Sequence, residues 1–155
     1  MNRERLELIA SLLSDVDEES RTFVHEGTTY ILRMNVGHKK DQCGTVCCIA
    51  GLAASLFDPE FISTRYTYPE WYDLSETARV ALGLSLLQSK ALFLESSTQA
   101  IEITPSQAAE GINRLLDGKY PWLPSDHAYA AIEKDEFMAA YPRFYEAFPN
   151  EPRRK

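Results

Sequence analysis

Apolar residues in the first fifteen positions recur at helical spacing. Leu6, Ile9, Ala10 and Leu13 fall on one stripe, widened by Leu8 and Leu12, so the pattern predicts a helix from Arg3 to Asp15. The acidic run Asp15–Glu19 ends it. The pattern then changes period. Arg21–Val24 and Thr28–Met34 are rich in β-branched and aromatic side chains and flank His25, Glu26 and Gly27, which predicts a hairpin near residues 21–34.

A polar stretch, Val36–Gln42, leads into CGTVCCIAGLAASLF. Thr45 can cap a helix running from Val46 to Phe57 by accepting a hydrogen bond from an unpaired backbone N–H. Ala50, Gly51, Ala53 and Ala54 leave a smooth face that predicts close approach of another helix, while Ile49, Leu52, Leu56 and Phe57 supply bulk. Asp58-Pro59 closes this helix. Phe61–Tyr72 reads as a loop holding Phe61, Tyr66, Tyr68, Trp71 and Tyr72.

Ser75 opens a helix to about Leu82, Gly83 breaks it, and Ser85 starts another to about Glu95. Thr104-Pro105-Ser106-Gln107 combines a threonine cap, a first-turn proline and a capping-box glutamine. Ala108, Ile112, Leu115 and Leu116 line that helix, and Gly118 ends it. A helical pair follows at Asp126–Ala140 and Pro142–Ala147, with Ile132, Phe137, Tyr141, Phe144, Tyr145 and Phe148 at its apolar positions.

The fold class that results is mainly α: a compact helical domain of about six helices with a small β-hairpin. A chain of 155 residues has the size of one domain. The expected domain occupies residues 1–150, followed by a frayed tail at 151–155. The longest apolar stretch, Val46–Phe57, is well short of the roughly twenty residues a membrane span needs, so no membrane contact is expected. The N-terminal stretch carries Glu4 and Glu7 and no small-residue cleavage site, which reads as a folded helix and predicts a cytoplasmic protein. Three cysteines, all between positions 43 and 48, suit a reducing compartment better than a disulfide framework. A net charge of −7 argues against nucleic acid, whose affinity comes largely from lysine and arginine on phosphate. It serves solubility, and it also suits a basic protein partner.

CGTVCCIAG, Cys43 to Gly51, is similar to the CGTxxCxxG signature of a family of short, uncharacterised bacterial and bacteriophage proteins. The resemblance extends to Tyr30–Met34 before the signature, and to Leu82-Gly83-Leu84-Ser85 and Ile103-Thr104-Pro105 after it, covering about residues 20 to 118. Cys43 and Cys48 are the matched cysteines. Family members often have alanine at the position of Cys47, and an aromatic or histidine where this chain has Leu52. The resemblance implies a prokaryotic mobile-element origin and carries over no activity.

Three constellations could carry chemistry. His38, Cys43, Cys47 and Cys48 are residue types that bind zinc, which in structural sites takes four ligands. Set against this, cysteine is among the residues most often buried as a small apolar group, and packing is the expected role, with no metal or other cofactor. Cys47 or Cys48 at the start of a helix could act as a nucleophile, with His127 or His38 as its base, in a cysteine-centred hydrolase or transferase. Ser75–Leu82, Gly83 and Ser85–Glu95 have the spacing of a helix-turn-helix, which would make the chain an acidic regulator of that type. The second helix, however, offers only Gln88 and Lys90 to a base or phosphate.

The leading expectation is a non-enzymatic protein-interaction domain of bacterial or phage origin, one that would modulate a host protein. Its predicted contact surface is Tyr66, Tyr68, Glu70, Trp71 and Asp73, where aromatic anchors sit beside acidic groups. Such aromatics can equally serve to cover a core.

Overall fold

A computed structural model gives the fold, describing residues 1–16, 22–31, 35–36, 49–58, 60, 71–93, 101–123 and 130–153. It is mainly α, as the hydrophobic periods require. Among the described residues there are seven helices: α1 (Arg3–Ser14), α2 (Ile49–Phe57), α3 (Trp71–Leu82), α4 (Leu86–Leu92), α5 (Pro105–Leu116), α6 (Ala130–Ala140) and α7 (Phe144–Ala147).

The main packing is pairwise. α1 buries Leu6, Ile9, Ala10, Leu12 and Leu13 chiefly against α5, whose own buried face is Ala108, Ala109, Gly111, Ile112, Leu115 and Leu116. α2 packs chiefly against α3. It buries Ile49 through Ala54, including Gly51, so the small-residue face does face the interior. α1 also touches α2 and α3, and α4 touches α3, α5 and α7, which joins the two pairs into one apolar cluster. Tyr120, Trp122, Phe137, Phe144 and Phe148 fill the end of that cluster built by the C-terminal helices.

Caps explain the helix limits. Asn2 accepts the Arg5 N–H at 3.2 Å and so starts α1. Thr104 and Gln107 form the reciprocal capping box of α5, and Ser85 and Gln88 form another on α4. α3 and α5 end the same way. The Leu84 N–H reaches back to the Arg79 carbonyl and the Gly83 N–H to that of Val80. The Lys119 and Gly118 N–H groups do likewise to Arg114 and Leu115. Gly83 (φ 61°) and Gly118 (φ 72°) supply the left-handed residue this closure needs.

The hairpin is present as β1 (Thr22–His25) and β2 (Thr28–Ile31), antiparallel with Phe23 opposite Tyr30. Its two-residue connection, Glu26-Gly27, has φ of 48° and 78°, the left-handed pair that matches the twist of the strands. A second pairing was not expected: β3 (Asn35–Val36) runs antiparallel to β4 (Ile101–Glu102).

Two expectations need correction. α3 begins at Trp71, four residues before Ser75, so Trp71 and Tyr72 belong to a helix and not to a loop. The apolar stripe of α3, Leu74, Ala78 and Leu82, already starts ahead of Ser75, and Ser75 itself is buried inside the helix instead of capping it. The second concerns Glu151, expected in a frayed tail. Glu151 is buried, and only Pro152 and Arg153 beyond it are exposed among the described residues. The expected starts of α2, at Val46, and of α6, at Asp126, lie outside the described residues.

Candidate functional site

The aromatic-acidic segment connects α2 to α3, and both helices are firmly packed. At the end of α2 the Asp58 N–H donates to the Ala54 carbonyl at 2.8 Å, continuing the helical bonding by one residue. The Arg5 guanidinium lies over the Phe57 ring, 4.7 Å from its centroid, tying this end of α2 to α1. Glu60 beyond it is exposed. Where the chain re-enters the described structure, Trp71 is the first residue of α3 and Asp73 stands in its first turn. The next residue, Leu74, is buried against the core. Trp71 and Asp73 thus both lie in the first turn of α3, two residues apart. Tyr66, Tyr68 and Glu70, the other predicted contact residues, lie outside the described residues.

One turn further along α3, Glu76 and Arg79 form a forked ion pair. Nε and Nη2 of Arg79 each donate to one carboxylate oxygen, both at 2.6 Å. The hydrogen bonds from Arg79 hold the Glu76 carboxyl below the usual range; burial opposes this shift and the guanidinium charge adds to it. Arg79 Nη1 also donates to the Leu84 carbonyl at 3.1 Å, so the same side chain braces the turn into α4.

The residues proposed for cysteine or metal chemistry, His38, Cys43, Cys47, Cys48 and His127, lie outside the described residues. The remaining histidine, His25, sits half-buried on β1 at the end of the hairpin, opposite Thr28. Among the described residues no group of three or more histidine, cysteine or carboxylate side chains could hold a metal ion, and no helix is long and apolar enough to cross a membrane.

The α3–Gly83–α4 unit has the order of a helix-turn-helix, but its second helix is committed to the fold. Gln88 Nε2 donates to the Ala147 carbonyl at 3.3 Å. Lys90 Nζ donates to the Tyr141 hydroxyl at 3.3 Å and stands 5.6 Å from the centroid of that ring. The two side chains singled out for base or phosphate contact are thus both turned toward the C-terminal helices.

A buried polar centre that the sequence reading did not anticipate lies at the end of the chain. The carboxylate of Glu151, 3% exposed, accepts the Tyr120 N–H at 2.8 Å. It is also paired with Lys134 of α6, and the Arg114 guanidinium of α5 lies 3.6 Å away. Arg114 Nε donates in turn to the Tyr120 carbonyl at 2.9 Å. These contacts pair the groups with one another, so the centre joins α5, α6 and the C-terminal segment. Comparison with family models, curated proteins and solved structures finds no match to this chain.

Proposed function

We propose that the chain is a non-enzymatic interaction domain that binds and modulates a protein partner, with Tyr66, Tyr68, Glu70, Trp71 and Asp73 as its contact surface. The observation that carries this reading is the position of Trp71 and Asp73 on the first turn of α3, a helix that buries Leu74, Ala78 and Leu82 and packs chiefly against α2. A contact residue fixed on a packed helix loses little freedom on binding, and a large aromatic there offers contact area at low entropic cost. The net charge of −7, with Glu70 and Asp73 near the aromatics in sequence, favours a basic partner. A bacterial or phage setting, in which the partner is a host protein, rests on the CGTVCCIAG resemblance.

Direct nucleic-acid binding is the weaker reading. Gln88 and Lys90 are engaged by Ala147 and Tyr141, and the negative charge opposes phosphate.

The test is affinity capture from bacterial lysate with the tagged chain and with a Tyr66→Ala, Tyr68→Ala, Trp71→Ala triple variant, followed by mass spectrometry. A specific protein retained by the parent and lost by an equally stable variant supports the site. Undiminished capture by the variant, or a variant that does not fold because these aromatics form core, removes it.

A further inference from the structure

We draw no further inference here: the strongest candidate, the exposed apolar side chains Val80 and Leu86 on either side of the Gly83 turn between α3 and α4, is a surface patch for which nothing in the structure shows what covers it.

Discussion

Gly111 and Trp122 meet so closely that a β-carbon added to Gly111 would lie 2.9 Å from Cζ3 of the indole. The contact is what lets the segment after α5 fold back along that helix. Trp122 has little room to retreat, being 2% exposed and donating its Nε1–H to the Ala91 carbonyl of α4 at 2.7 Å. In an open helix, alanine in place of glycine would gain about 1 kcal/mol, whereas overpacking a filled core costs about 1–3 kcal/mol. Gly111→Ala is therefore expected to lower stability in spite of its better helix propensity. Denaturant unfolding checks this, and a variant as stable as the parent would show that the indole yields without cost.

Glu151 makes a second test, because it lies in a stretch that reads as a polar tail. Removing its carboxylate leaves the Tyr120 N–H without its acceptor and Lys134 without its partner. Glu151→Ala is expected to destabilise the fold by about 2–4 kcal/mol, since a lost partner leaves the other buried group unpaired. Glu151→Gln should lose less, because an amide oxygen can still accept from Tyr120. Equal and unchanged melting temperatures for both variants would show that the tail is not fixed through this side chain.

The Glu76–Arg79 pair predicts a pH response. The folded pKa of Glu76 is lowered, so its contribution to stability is present above the unfolded value. It is lost as pH falls through the lower, folded one. Both groups are partly exposed, so the contribution is small and screened by salt. Carboxyl-carbon NMR should show Glu76 titrating below an ordinary glutamate, and Arg79→Ala should bring it back into the usual range. Identical titration curves in the two proteins would separate the shift from the guanidinium.

Local rules made much of this fold legible. α1 and α5 follow from uninterrupted helical periods, and α5 carries a complete start signal in Thr104, Pro105 and Gln107. The hairpin follows from two β-prone runs around Glu26-Gly27. What was missed is non-local or disguised. Ser75 has the chemistry of a cap, yet it is buried within α3, because Trp71 to Leu74 continue the helix ahead of it. The β3–β4 pairing joins two-residue strands too short to show a period. Glu151 finds its partners on α5, α6 and at Tyr120, which no spacing within NEPRRK reveals. At the candidate site the aromatic and acidic composition was legible, but not the helix that seats Trp71 and Asp73.

The cysteines allow the last prediction, and it separates the packing role from both kinds of chemistry. Cys43, Cys47 and Cys48 precede α2 in sequence, and α2 is buried from its first residues, with Ile49 4% and Ala50 0% exposed. A packed cysteine behaves as a small apolar group, while a reactive thiolate needs an electropositive and accessible environment. Native protein should therefore react slowly with a thiol reagent at neutral pH, and all three thiols should react quickly once denaturant unfolds the chain. Metal analysis of the same preparation should find well below one zinc per chain. Rapid modification of Cys47 or Cys48 in the folded protein would favour the nucleophile, and a His127→Ala variant that slowed it would identify the base. One zinc per chain, whose removal by a chelator unfolds the protein, would instead assign Cys43, Cys47 and Cys48 with His38 to a structural metal site, since binding free energy at such a site is folding free energy.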